Sequence, residues 1–110
     1  MAGSSYSDYM YYAKQTFYSI RDPIFRDLYE TMSAVLGEDR VHMSRNKCEK
    51  FFCIDGIWYI TVPSDETCVV VNSPLYGRME FSYITPAEYM LLYIRKMELE
   101  DELEKMVRKR

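Results

Sequence analysis

Apolar residues recur at helical spacing in three stretches of the chain, and each stretch predicts an α-helix. The first covers residues 6–20, where one apolar stripe is formed by Tyr9, Met10, Ala13, Phe17 and Ile20. The second begins with Asp22 as N-cap and Pro23 at the first helical position, and it ends at Gly37. The third begins at Thr85 and meets no breaking residue afterwards, so it predicts a helix of roughly 35 Å.

The middle of the chain has the pattern of a β-sheet. Short runs rich in Val, Ile, Phe and Tyr predict strands at 41–45, 49–54, 57–62, 68–71 and 78–84. The sequence therefore predicts an α+β fold with two N-terminal helices, a mainly antiparallel sheet of four or five strands, and a long C-terminal helix. We expect a single domain over residues 1–110, with residues 1–5 flexible and residues 98–110 forming a projecting helix end.

The hairpin around Asp55-Gly56 is apolar on both of its predicted faces. A two-residue turn at Asp55-Gly56 fixes the register and pairs Ile54 with Ile57. One face then carries Phe51, Cys53, Trp58, Ile60 and Val62, and the other carries Phe52, Ile54, Ile57 and Tyr59. Burying one such side chain is worth about 1.5–3 kcal/mol. We therefore expect the second face to be covered by a helix of this chain, by a second copy, or by another protein.

Composition narrows the class of protein. The 110 residues carry a net charge of −3, which argues against general binding to polyanions. Eleven tyrosines suit half-buried positions and interfaces, because each joins a large apolar ring to a hydroxyl. No apolar run is long enough for a membrane span, so we expect no membrane partner. The odd number of cysteines, three, and the lack of an export signal favour the cytoplasm.

A basic segment at residues 40–50 supports an alternative function. Its cations are Arg40, Arg45, Lys47 and Lys50. It leads directly into the aromatic residues of the hairpin, among them Phe52 and Tyr59. Phosphate contacts beside stacking rings are the means by which single-stranded nucleic acid is bound. The alternative interpretation is therefore a nucleic-acid or nucleotide-binding protein.

The C-terminal helix combines an acidic block with an apolar repeat. The acidic residues that we single out are Glu98, Glu100, Asp101 and Glu102. Alternating steps of three and four residues connect Leu92, Leu99, Leu103 and Met106, with Lys96 interrupting. This pattern indicates either a helix docked on its own sheet or a helix that pairs with a partner, and a homodimer is one such pairing.

The sequence contains no recognisable catalytic or metal-binding motif. His42 is its only histidine, and the three cysteines do not have the spacing of a zinc site. Cys48 with His42 is the one conceivable nucleophile pair. We expect no enzyme activity, no cofactor and no metal.

The interpretation that we favour is a small cytoplasmic protein-interaction module that acts by binding. Small, acidic, Tyr-rich domains are typical of phage or mobile-element inhibitors of host enzymes. The predicted partner surface consists of Phe52, Ile54, Ile57 and Tyr59, together with Glu98, Glu100, Asp101 and Glu102.

Overall fold

The computed structural model describes residues 21–46, 49–64 and 66–109 with their side chains, and residues 5–20 by their helical backbone. Helix α1 (Ser5–Leu36) comes first and helix α2 (Ala87–Arg108) last. Between them lie the strands β1 (Val41–Arg45), β2 (Lys50–Ile54), β3 (Trp58–Thr61), β4 (Cys68–Ser73) and β5 (Gly77–Ser82). The predicted α+β class is confirmed. The expectations about residues 1–5 and about the side-chain stripe of residues 6–20 fall outside the part described with side chains.

The prediction of two N-terminal helices is wrong, because α1 continues through Pro23. Inside a helix, proline removes one backbone hydrogen bond and its ring crowds the carbonyl four residues earlier, which usually kinks or ends the helix at a cost of about 3 kcal/mol. Beyond it, Phe25, Leu28 and Met32 are buried and hold α1 against the sheet. The helix ends where predicted, at Gly37, whose φ of +106° is a conformation that other residues rarely adopt.

The five strands form one antiparallel sheet in the order β1-β2-β3-β4-β5, so each strand pairs with its neighbour in sequence. The N-terminal end of β1 pairs with the C-terminal end of β2, and Val41 lies opposite Ile54. Strands β4 and β5 pair along their full length, from Cys68 opposite Ser82 to Ser73 opposite Gly77. This is a meander, and short turns suffice to connect all of its strands.

The β2–β3 hairpin turns where predicted but in a different register. Asp55 and Gly56 both have positive φ, and the Ile57 N–H donates to the Ile54 carbonyl at 3.0 Å, as in a type I′ turn. However, Ile54 pairs with Trp58 and not with Ile57. Ile57 is therefore an extra residue, comparable to a β-bulge, and it shifts the pairing by one. A shift by one residue exchanges the two faces of a strand relative to its partner.

Because of this shift, the apolar residues of the hairpin divide unequally between the two faces. Phe52, Ile54, Trp58 and Ile60 share one face and are all buried. Both helices pack on this same face. Phe25 of α1 contacts Phe52 edge-on, with ring centroids 5.5 Å apart. Tyr93 of α2 contacts Trp58 in the same manner at 6.1 Å.

The fold thus has two layers, one of helices and one of sheet. The core between the layers contains Met32 of α1, Met90 and Ile94 of α2, and the inward side chains of the central strands. Within the part of the chain that the structure describes, neither helix combines the length and apolar character that crossing a bilayer requires.

Candidate functional site: the open face of the sheet

The second face of the sheet has no helix on it among the described residues. We call it the open face. From β1 to β5, the alternation of each strand and the pairing of the strands place on it His42, Ser44, Phe51, Cys53, Tyr59, Thr61, Cys68, Val70, Asn72, Arg78, Glu80 and Ser82. Aromatic and aliphatic side chains therefore lie on a face that the fold itself leaves uncovered.

The middle of the open face is apolar. The rings of Phe51 and Tyr59 contact each other in a tilted arrangement, with centroids 5.9 Å apart. Val70 lies one strand further along and is only 5% exposed. A shallow depression of about 220 Å³ follows these residues and ends beside Asn72 and Arg78. The face has an apolar centre with polar groups around it.

The β5 side of the open face is charged. The guanidinium of Arg78 donates to Glu66 at 3.2 Å and also pairs with Glu80. The ligand atoms of Glu66, Cys68 and Glu80 lie within 4.8 Å of one another. Burial, followed by the hydrogen bond from its Sγ to Glu66, raises the pKa of the Cys68 thiol to about 11, which disfavours the thiolate that a metal needs. The cluster is accounted for as an ion-pair network in which Arg78 supplies the positive charge.

The structure separates the four hydrophobic residues of the predicted partner surface. Phe52 and Ile54 are 0% and 1% exposed in the core, because the extra residue Ile57 reverses the predicted faces. Ile57 itself lies in the turn and packs partly against the core. Tyr59 alone lies on the open face. Sequence reasoning missed Phe51, the neighbour of Tyr59. An extra residue in the predicted turn would have placed Phe51 and Tyr59 on the same face.

The acidic block of α2 contacts the sheet and its own helix. The buried indole of Trp58 donates to Glu98 at 3.1 Å, and the Tyr76 hydroxyl donates to Asp101 at 3.2 Å. Lys105 also binds Asp101 at 3.1 Å, and this contact is the main reason that the pKa of the Asp101 carboxyl is lowered. Two members of the block therefore hold α2 on the sheet.

The other two members of the acidic block lie on the helix surface. Glu100 is 3.9 Å from Lys96, and Glu102 is 3.9 Å from Arg95. Exposed pairs of this kind add little stability, typically about 0–1 kcal/mol each. From Glu102 to Lys109 every residue is exposed, whereas Asp101 is half-buried.

The three described basic residues of segment 40–50, Arg40, Arg45 and Lys50, lie at two separate places. Arg40 binds both carboxylate oxygens of Asp55 at the hairpin tip, at 2.9 and 2.6 Å. Arg45 and Lys50 lie at the other end of their strands, where they line a groove of about 260 Å³ together with Arg21. Lys47 lies outside the described residues.

Of the conceivable nucleophile pair, Cys48 lies outside the residues that the structure describes. His42 lies opposite Cys53 on the open face, in neighbouring strands. The pairing of these two residues depends on the β1–β2 register, which the sequence pattern does not specify.

Comparison with known proteins finds no match: no protein-family model, no curated protein and no solved structure is significantly similar to this chain. The geometry of the chain is therefore the basis for any functional proposal.

Proposed function

We propose that this protein is a small interaction module that binds another protein through the open face. The observation that supports the proposal is the Phe51–Tyr59 aromatic pair, which lies on a sheet face that neither helix covers among the described residues. Phe51 and Tyr59 are half-buried, so the exposed part of each ring forfeits the stabilisation that full burial would bring. A partner that covers the pair would recover that stabilisation on binding.

The distribution of polarity on the open face fits a protein better than a nucleic acid. Protein interfaces have an apolar, aromatic-rich centre and a polar rim. Here Phe51, Tyr59 and Val70 form the centre, and Arg78 and Glu80 contribute to the rim. Arg78 is paired with two glutamates, so this side of the face offers little attraction for phosphate groups.

We propose that the partner is a host enzyme that the bound module inhibits, and that the module acts in the cytoplasm without chemistry of its own. This part of the proposal is supported by the size, the acidic charge and the Tyr content of the chain alone. Small modules from phages and mobile elements commonly act in this way. A phage or mobile-element source for the chain, together with a captured partner that is a host enzyme, would support the inhibitor proposal.

The test is affinity capture with three immobilised proteins. The first is the wild type, the second is the double variant Phe51→Thr/Tyr59→Thr, and the third is Leu75→Thr. Leu75 is 70% exposed in the β4–β5 turn and lies off the open face, so it is a matched control. Threonine is favoured in strands, and the intrinsic fluorescence of buried Trp58 checks that every variant is folded.

We expect one protein from a lysate of the source cells to be retained by the wild type and by Leu75→Thr but not by the double variant. Purification of that protein then allows its affinity for all three to be measured directly. Equal affinity of the double variant and the wild type would contradict the use of the open face.

A second candidate function is supported by the groove between α1 and the ends of β1 and β2. Among the described residues, Arg21, Arg45 and Lys50 line it together with Asp22 and Glu49. Arg21 donates to the Val62 carbonyl at 2.6 Å, which fixes the position of its guanidinium. Three cations against two carboxylates suit a ligand that carries phosphate, as the basic segment predicts.

This alternative is tested by fluorescence anisotropy with a labelled single-stranded oligonucleotide and with a labelled nucleotide. If the groove binds phosphate, the affinity falls steeply with salt and is weakened by Arg45→Ala. Arg26→Ala removes an exposed α1 cation outside the groove and is the control. Absence of binding at low salt would exclude the alternative.

A further inference from the structure

Helix α2 has two apolar faces. One face buries Ala87, Met90 and Ile94 in the core. The other carries large apolar side chains that are exposed, and we call it the outer stripe: Tyr89, Leu92, Leu99, Leu103 and Met106. Exposed apolar residues that occur singly are normal on protein surfaces, but a row of five along one face of a helix indicates an interaction site.

The outer stripe points away from the sheet. Leu99 follows Met90 by about two and a half helical turns, so the two side chains leave the helix in opposite directions. The members of the stripe are spaced by three and four residues, which is the spacing of a coiled-coil seam. Lys96 is the only position of the seam, from Tyr89 to Met106, that is not apolar.

We propose that the outer stripe is covered by the same stripe of a second copy of this chain, with the two α2 helices antiparallel. In the register that matches the stripe with itself, Tyr89 faces Met106 of the second copy. Leu92 then faces Leu103, and Lys96 faces Leu99. The contact has two-fold symmetry, so each pair occurs twice and the assembly closes as a dimer.

The charges beside the stripe are complementary in this register. Glu88 falls opposite Lys109 of the second copy, and Arg95 falls opposite Glu102. Within one chain Arg95 already lies 3.9 Å from Glu102 and 3.7 Å from Glu98, so Glu102 of the second copy would be a further carboxylate beside the same guanidinium. Parallel pairing would instead bring Lys96 against Lys96. Flanking charges set the orientation of paired helices in this way.

Lys96 makes the contact weaker than a fully apolar seam. Its aliphatic stem can cover Leu99 of the second copy while its ammonium group reaches the flank, where it already lies 3.9 Å from Glu100. A polar residue at one seam position lowers stability and favours a single register. The dimer is therefore expected to dissociate measurably on dilution.

The experiment is a sedimentation-equilibrium series of the purified chain over a wide concentration range. Leu103→Lys places a cation in the seam, and Leu103 is 59% exposed in the monomer, so the substitution leaves the core intact. Leu75→Lys makes the same change at an exposed leucine that does not belong to the outer stripe. We expect the wild type and Leu75→Lys to dimerise with the same Kd, Leu103→Lys to raise that Kd at least about tenfold, and Lys96→Leu to lower it.

A charge exchange tests the orientation. Arg95→Glu and Glu102→Arg each place like charges opposite each other in the antiparallel dimer, and the double variant restores the complementary pairs. In a parallel dimer Arg95 would face Glu100, so the double variant would not restore that pairing. We expect the Kd to rise in both single variants and to return toward the wild-type value in the double variant.

Three outcomes would overturn the proposal. One is a wild type that remains monomeric at the highest concentration. Another is an equal Kd for Leu103→Lys and Leu75→Lys. The third is a double charge variant whose Kd is no lower than that of Arg95→Glu.

Discussion

The indole N–H of Trp58 donates a hydrogen bond to Glu98 Oε1 at 3.1 Å and thereby connects the centre of the sheet to α2. Trp58 is completely buried, and its ring also stacks on Tyr76, with centroids 4.9 Å apart. The Tyr76 hydroxyl in turn donates to Asp101, one helical turn beyond Glu98. The two acidic residues therefore fix where α2 leaves the sheet.

Removal of the Glu98 carboxylate should destabilise the fold. Glu98→Ala leaves the buried indole N–H without its acceptor, and an unsatisfied buried donor costs about 1–3 kcal/mol. Glu98→Gln retains an oxygen that can accept the bond and should cost less. Both changes are measured by urea unfolding, with the fluorescence of Trp58, the only tryptophan, as the probe. Glu30 of α1 is exposed and belongs to neither proposed surface, so it supplies the control: Glu30→Ala should change the free energy of unfolding by less than about 0.5 kcal/mol. An equal loss for Glu98→Ala and Glu98→Gln would contradict the role of the bond.

Much of the fold could be predicted because its signals are local. The five strand positions follow from short apolar runs, and the turn at Asp55-Gly56 and the helix end at Gly37 follow from residues that tolerate positive φ. The continuity of α1 through Pro23 could not be predicted, because proline is favoured at a first turn and costs about 3 kcal/mol in a helix interior. The hairpin register could not be predicted either, because Ile57 has no local property that marks it as the extra residue.

Deletion of Ile57 tests the observed register. The deletion would leave a two-residue turn with Ile54 opposite Trp58, so every core residue of the hairpin keeps its face. We expect the deletion to lower the free energy of unfolding by the contribution of one partly buried isoleucine, at most about 1.5–3 kcal/mol. Deletion of Thr61 within β3 is the matched comparison, because it shifts Val62 and the residues that follow to the wrong face. We expect urea unfolding to show a folded Ile57 deletion and a much less stable Thr61 deletion. The reverse order would contradict the register.

The candidate site was less predictable than the fold. The sequence points to Tyr59, but the one-residue difference in register puts Phe52 and Ile54 on the buried face. The sequence also points to Glu98 and Asp101 as acidic residues, yet their bonds to Trp58 and Tyr76 depend on how α2 docks. Such long-range relationships have no signal in the local pattern.

The Arg40–Asp55 ion pair predicts a dependence of stability on pH. The hydrogen bond from Arg40 holds the pKa of the Asp55 carboxyl below its ordinary value. The stabilisation by the ion pair is therefore fully present above the pKa of an aspartate in the unfolded chain, about 3.9. It is lost as the pH falls through the lower pKa that Asp55 has in the folded protein. Asp55→Asn tolerates the positive φ and should lower the free energy of unfolding at pH 7 by less than about 1 kcal/mol, because the pair is partly exposed.

The measurement is urea unfolding of the wild type and Asp55→Asn over a pH series. The two stabilities should converge below the folded pKa of Asp55, where the wild-type carboxyl is protonated. A difference that stays constant from pH 7 to the acid limit would show that the charge of Asp55 does not contribute.

The Cys68 thiol should react slowly with alkylating agents. Burial, and secondarily Glu66, raises its pKa from 9.0 to about 11, so the thiolate fraction at pH 8 falls about a hundredfold. Peptide mapping after iodoacetamide treatment separates Cys68 from the other cysteines, and the urea-unfolded chain gives the reference rate. Glu66→Gln should accelerate the reaction only partly, since burial is the larger cause. Equal rates in the folded and unfolded chains would contradict this environment.

The two proposed surfaces lie on opposite sides of the molecule, and their combination has a measurable consequence. The outer stripe faces away from the sheet, so a dimer through α2 would present two open faces directed outward. Such a dimer would bind an immobilised partner at two points and dissociate more slowly than a monomer. Leu103→Lys should therefore speed dissociation from a densely coated surface and leave affinity for the dissolved partner unchanged. Tyr59→Thr should speed dissociation from the dense surface and should also lower the affinity for the dissolved partner. Equal dissociation of Leu103→Lys and the wild type from the dense surface would show that the two surfaces do not act together.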